Sequence, residues 1–275
     1  MINKIQNKSI LFFAITSTCF VSFSNKNALK LENFSKIIAP AKAKIKTEIP
    51  KDFDLFCPIN KNAKRDENGK FPANTEKWYS EIDGQTQIFR LFKGDSIARG
   101  FDAKNFHSRT EVGGTGGDLR FKESEIWHSF EATMKIDVPV NLDNKKLDDR
   151  ITVAQLFASC CGPQFRLELT QNGSISYGSR SNGNTIILSD KDYSNGINKL
   201  KVKLVSNGKY LKVFLNDKQI MFKVDGKEVD MLQTEETKKG TKETFYVFRW
   251  GIYSNKPMDR TITNEVTNIT SKEGE

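Results

Sequence analysis

Histidine is almost missing from this chain: His107 and His128 are the only two in 275 residues. The four cysteines include no CxxC pair. Zinc sites draw their ligands from such clusters, so a zinc centre of the usual kind is excluded and no metal or other cofactor is expected. Long apolar runs are equally scarce. The one candidate, Ser9 to Phe23 (SILFFAITSTCFVSF), is too short for a membrane span. Helix-period patterning is rare, and no segment repeats. The run Gly113 to Gly117 lacks the Lys-Ser/Thr ending of a phosphate loop, so it is expected to be a tight turn beside a groove.

What is present is basic. The formal net charge of +9 favours a polyanionic partner, whether nucleic acid, an anionic membrane or an acidic polysaccharide. The N-terminus narrows that choice. Lys4 and Lys8 precede the apolar run, and Ser22 and Ser24 have the spacing a signal peptidase accepts. Residues 1–24 therefore read as a signal peptide, which implies a secreted, periplasmic or cell-surface protein and argues against nucleic acid. Cys19 would be the lipid-anchor position, but Thr16-Ser17-Thr18 is a poor lipobox. In an oxidising compartment a disulfide from Cys57 to Cys160 or Cys161 is open.

Residues 25–50 read as a Lys-rich linker and residues 51–275 as one domain, expected to be a monomer. From Lys51 onward, short apolar runs alternate with turn residues, as in a sandwich or barrel. Trp127 to Val138 alternates cleanly, and Asn207-Gly208 predicts a hairpin between Leu200–Val205 and Tyr210–Leu215. The expected fold is an all-β sandwich of the jelly-roll kind. Lys199, Lys201 and Lys203 read as a solvent-facing edge. Trp78, Tyr79, Tyr177 and His128 read first as structural.

Three strands carry polar residues on one face. In FHSRTEV, period two groups His107, Arg109 and Glu111. In ITVAQLFAS it groups Val153, Gln155 and Phe157. In FYVFRWGIYSN it sets Tyr246, Phe248, Trp250 and Ile252 toward a core and Arg249, Gly251, Tyr253 and Asn255 away from it. Arg166, on a fourth run with Gln164 and Glu168, is read as part of the same groove.

These residues resemble a known family. RTEV at Arg109–Val112 looks like the RTEL/RSEL motif of the alginate lyase superfamily, polysaccharide lyase family 7. AQLF at Ala154–Phe157 sits where that family has QIH or QVH, and VFRWGIYSN at Val247–Asn255 lines up with its YFKAGVYNQ. The resemblance covers about Lys51 to Thr270 and implies a concanavalin A-like jelly roll with a concave substrate groove. It also implies β-elimination on a 4-linked uronate polymer. Arg109 and Gln155 would neutralise the uronate carboxylate, since the neighbouring C5 proton is not acidic while that group stays charged. Tyr253 would act as base and then acid, with Arg109 or Arg249 close enough to favour its phenolate. Glu111, by orienting Arg109, and Arg249, Asn255, Arg166 and Phe157 would complete the substrate contacts.

One departure matters. Phe157 stands where the family has a histidine, so its second catalytic group is missing there. In β-D-mannuronate and β-D-glucuronate the C5 proton and C4 oxygen share a side, and one tyrosine can serve both. In α-L-guluronate they lie on opposite sides. Mannuronate-type alginate is therefore the first expected substrate. His107 points the same way as Arg109 and is expected to compensate as a catalytic-site residue, reaching the same carboxylate or a neighbouring sugar. A His ahead of the Arg also resembles the glucuronan lyases of family 20, which makes glucuronan the second expected substrate. A non-catalytic acidic-polysaccharide-binding module and a basic adhesion protein are the alternatives from other classes.

Overall fold

A computed structural model describes residues 44–46, 53–82, 84–99, 102–113, 120–139, 149–178, 185–234 and 243–274. The segment read as a signal peptide and most of the Gly-rich run lie outside these residues. The described strands belong to one compact unit, Pro40–Glu275. Within the stretch read as a linker, Lys44–Lys46 pairs with the end of Ile262–Glu273.

Two large antiparallel sheets form the sandwich, as the alternating pattern predicts. The nine-stranded sheet runs in the order Lys218–Gln219, Tyr210–Leu215, Asn195–Ser206, His128–Asp137, Ile262–Glu273, Thr86–Leu91, Tyr79–Ile82, with Lys44–Lys46 and Leu232–Gln233 joined off this path. The ten-stranded sheet runs Thr185–Ser189, Ile175–Gly178, Gly162–Leu169, Ile151–Ala158, Tyr246–Ser254, Asp102–Val112, Leu55–Cys57, Asn60–Ala63, with Ile97–Arg99 and Arg120–Phe121 joined off it. The expected hairpin across Asn207-Gly208 is present. Asn207 Oδ1 accepts the backbone N–H groups of Lys209 and Tyr210, the local bond that makes asparagine a turn residue.

The core between the sheets is aromatic. Tyr246, Phe248, Trp250 and Ile252 are buried in it, and Trp250 stacks on Phe130 with ring centroids 4.5 Å apart. The Trp250 indole N–H donates to buried Gln87 Oε1 at 2.6 Å, so its one polar atom is satisfied. Two further bonds tie the sheets at the strands of interest. Thr110 Oγ1 donates to the Arg90 carbonyl at 2.8 Å, and Asn264 Nδ2 to the Gly251 carbonyl at 2.9 Å. Trp78, Tyr79 and Tyr177 belong to the core, as read from the sequence.

Two expectations are corrected. The strand carrying Lys199, Lys201 and Lys203 is no edge: it pairs on both sides, with His128–Asp137 and Tyr210–Leu215. Lys201 spans those neighbours, reaching Glu131 at 3.1 Å and Asp217 at 2.6 Å. The disulfide joins Cys160 to Cys161, and Cys57 is buried outside it. Cys57 sits on Leu55–Cys57 with its side chain in the core.

His128 stacks on Phe121 with ring centroids 4.4 Å apart. Burial lowers its pKa, against a smaller opposing pull from Glu273. The unfolded chain then binds the proton more readily than the folded one, so stability is lost as pH falls through the ordinary histidine value of about 6.5. The Tm is expected to drop between about pH 7 and pH 5, and to drop less in a His128→Gln variant. Parallel declines in the two proteins would remove His128 as the cause.

Candidate active site

The three site strands are consecutive neighbours, with Tyr246–Ser254 in the middle, Asp102–Val112 on one side and Ile151–Ala158 on the other. Cross-strand partners point to the same side of a sheet. On the middle strand Trp250 and Ile252 enter the core, so Arg249, Gly251 and Tyr253 face away from it. Register then places Arg109 directly beside Tyr253, and Glu111 beside Gly251. Gln155 lies between Arg249 and Arg166. The residues that period two selects on separate runs are thus brought to one face.

One strand departs from simple alternation. A register shift between Thr152 and Ala154 puts Thr152, not Val153, opposite Tyr253 and Glu168. A β-bulge inserts one residue and re-aims the side chains beyond it. The expected grouping of Val153 with Gln155 and Phe157 is corrected accordingly.

Although this face is turned from the core, its polar groups are sheltered. Relative exposure is 2% for Glu111, 3% for Gln155, 5% for His107 and 6% for Tyr253. Buried polar groups are normally paired, and each of these has a partner on this face. Arg109 donates from Nε (3.3 Å) and Nη2 (3.2 Å) to His107 Nε2. An arginine can only donate, so Nε2 is the accepting nitrogen and His107 carries its proton on Nδ1. Glu111 accepts a bond from the Gln155 amide. That bond spans the middle strand, on which Gly251 pairs with Glu111 and Arg249 with Gln155. Glu111 therefore holds Gln155, where the sequence reading gave it Arg109.

Tyr253 has its hydroxyl on Asn255 Oδ1 at 3.0 Å, and Arg166 reaches the same oxygen at 3.5 Å. The Arg166 and Arg109 guanidiniums lie 5.1 and 5.6 Å from the Tyr253 ring centroid, and the His107 ring lies 5.8 Å from it. Arg249, the other expected neighbour of Tyr253, is placed elsewhere. It lies 3.6 Å over the Phe157 ring. Burial lowers its pKa; Glu111 acts to raise it and Arg109 to lower it further. Arg249 Nε and Glu111 Oε2 are buried without a hydrogen bond among the described residues.

Two contributors, Phe56 and Thr152, escaped the sequence reading. The Phe56 ring lies under both Arg109 (4.7 Å) and Arg249 (5.4 Å). Alternation could have found it, because Leu55 and Cys57 face the core and Phe56 between them cannot. Thr152 was hidden by the bulge. Gly113 makes room for Arg249: a Cβ there would come within 2.3 Å of Arg249 Cγ.

No protein-family model and no curated protein matches this sequence. Solved structures match it in fold. Alginate lyase AlgAT5 of polysaccharide lyase family 7 is 17% identical, over 82% of this chain and 95% of that one, with a TM-score of 0.55. The alginate lyase from Corynebacterium sp. is 12% identical, over 81% and 94%, with a TM-score of 0.56. Family 7 alginate lyase A1-II′, solved in complex with substrate (GGMG), is 11% identical, over 82% and 93%, with a TM-score of 0.52. At these identities the likeness establishes the jelly-roll fold.

Proposed function

We propose that the chain is a polysaccharide lyase of the alginate lyase kind that cleaves a 4-linked uronate polymer by β-elimination. The observation that carries this reading is the Arg109–Tyr253 neighbour pair with Gln155 on the adjoining strand, all on one sheltered sheet face. Nothing in sandwich packing requires a buried glutamine and a buried tyrosine to gather with a half-buried arginine outside the core. The solved structures of like fold are alginate lyases, one of them in complex with its substrate.

The chemistry assigns each group a task. Arg109 and the free amide hydrogen of Gln155 meet the carboxylate of the sugar to be opened, removing the charge that keeps its C5 proton from leaving. Tyr253, as phenolate, takes that proton. The C5–H electrons become the C4=C5 bond, the C4–O bond breaks, and the departing oxygen takes the proton back from Tyr253. Negative charge on Tyr253 is met by two guanidiniums at its ring. His107 positions Arg109, and Asn255 positions the Tyr253 hydroxyl. Arg249 Nε and Glu111 Oε2 have hydrogen-bonding capacity left for the carboxylates and hydroxyls of adjoining sugars.

Phe157 supports the choice among substrates. Its ring is capped by Arg249, so that side of the site offers no second acid or base. A single tyrosine serves substrates whose C5 proton and C4 oxygen share a side. Mannuronate-type alginate comes first, and glucuronan second because His107 lies directly on Arg109. Export follows as part of the same proposal, supported by the Lys-flanked apolar run of residues 1–24.

The test is ultraviolet absorbance over time with polymannuronate, polyguluronate and glucuronan. Elimination leaves a C=C conjugated to a carboxylate, which intact polymer lacks. Absorbance is expected to rise on polymannuronate or glucuronan and to stay flat on polyguluronate. Silence on all three, with binding retained, would make this an acidic-polysaccharide-binding module, with Phe157 the reason.

A further inference from the structure

At the Tyr79–Ile82 edge of the nine-stranded sheet, the segment between Ala63 and Tyr79 forms one wall of an open pocket of about 1080 Å³. None of its lining residues lies in a strand of the ten-stranded sheet, so it is separate from the Tyr253 face. Five cations line it, Lys64, Arg65, Lys70, Lys77 and Arg90, against three carboxylates, Asp66, Glu76 and Glu81.

The pairing inside the cavity is lopsided. Arg65 is used structurally: it ion-pairs with Glu81, donates to the Gly69 carbonyl at 2.7 Å and lies 4.2 Å over the Phe71 ring. Asp66 is used as well, accepting the Asn68 and Lys70 backbone N–H groups at 2.9 and 2.8 Å. These bonds fix the loop that forms the wall. Lys64, Lys70, Lys77 and Arg90 form no ion pair among the described residues, although Arg90 donates to Ser80 Oγ at 3.1 Å, and Asp66 and Glu76 are the carboxylates left to offset the four. Phe71 and Phe92 supply apolar wall between the charges, and Lys77 Nζ is held 4.8 Å from the Phe92 ring. A preformed cavity with unpaired cations spaced around aromatic surface suits a ligand that carries regularly spaced carboxylates on a ring-bearing backbone.

We propose that this cavity is a second, non-catalytic binding site for an acidic polysaccharide, holding one segment of a chain while another lies across the Tyr253 face. The identity of the polymer rests on the function proposed above; the cavity and its charge do not. A second foothold raises the local concentration of chain at the first, so it acts on long polymer and leaves short oligomers unaffected.

The experiment is affinity electrophoresis of the full chain through gels containing polymannuronate, in a Tyr253→Phe background so that no polymer can be cut. A Lys64→Ala/Lys70→Ala/Lys77→Ala variant is expected to raise the apparent Kd about fivefold. A control that removes three exposed lysines elsewhere, Lys199→Ala/Lys223→Ala/Lys227→Ala, is expected to change it less than about twofold. In the wild-type background the first variant should raise KM for polymer and leave kcat/KM for a tetrasaccharide unchanged. Equal retardation of the first variant and its parent, or an equal loss in the control, would overturn the site. An enzyme silent on every polymer but selectively released by the first variant would refute the lyase and keep the site.

Discussion

Tyr253→Phe is expected to lower kcat by about 10³- to 10⁴-fold, at the upper end of what one acid–base group contributes, because here the same hydroxyl serves in both proton transfers. KM should change little. The ring, which both the Arg109 and Arg166 guanidiniums approach, is kept, and among the described residues the hydrogen bond lost is that to Asn255 at 3.0 Å. The Tm should also stay within about 2 °C, since the lost bond lies at the border of the buried region and a net hydrogen bond is worth about 1 kcal/mol. Initial rates from product absorbance, beside a thermal melt, check both statements. Retention of even a tenth of the rate would assign the proton transfers to another group, and His107 would be the next to replace.

Gly251→Ala is expected to have the largest effect on stability. Gly251 has φ +137°, a region that side-chain-bearing residues rarely adopt, and it stands on the middle strand of the site. An added Cβ would come within 2.4 Å of the Thr110 carbonyl oxygen and 2.8 Å of Glu111 Cα, both backbone atoms that cannot rotate away. Strain of about 1–3 kcal/mol from the backbone and a similar overpacking cost make about 2–6 kcal/mol. For a domain of this size that is a fall in Tm of roughly 5–20 °C. Whatever shift relieves the clash moves Glu111, and with it the Gln155 amide, so kcat should fall too at temperatures where the variant stays folded. A melt within about 2 °C of the parent would show that the strand absorbs the methyl group and that the glycine is not required.

The fold was largely legible because its code is the simplest one. Alternation on the FYVFRWGIYSN run assigns a core face and an outer face correctly at every residue from Tyr246 to Tyr253, and the Asn207-Gly208 turn sets its hairpin. Arg109, Gln155 and Tyr253 were legible for the same reason, since a period of two needs no knowledge of neighbours. What alternation cannot supply is register between strands. Glu111 bonding Gln155 rather than Arg109 depends on which strand lies between them. The bulge at Val153 is a backbone event with no side-chain signature, so Thr152 was missed. Lys199, Lys201 and Lys203 misled because a charged stripe looks the same on a sheet edge and on a solvated outer face.

The neighbour pair Arg109 and Tyr253 also has a kinetic meaning. These residues lie more than half the chain apart in sequence, on strands that no hairpin connects. Pairing of such distant segments is the slow, entropically costly part of folding an antiparallel sandwich. The reaction machinery therefore comes into existence at that long-range closure and not before. A nascent or truncated chain lacking the Tyr246–Ser254 strand has neither the tyrosine nor the frame that aligns Arg109 with Gln155. Activity regained during refolding is for this reason a clock for completion of the ten-stranded sheet.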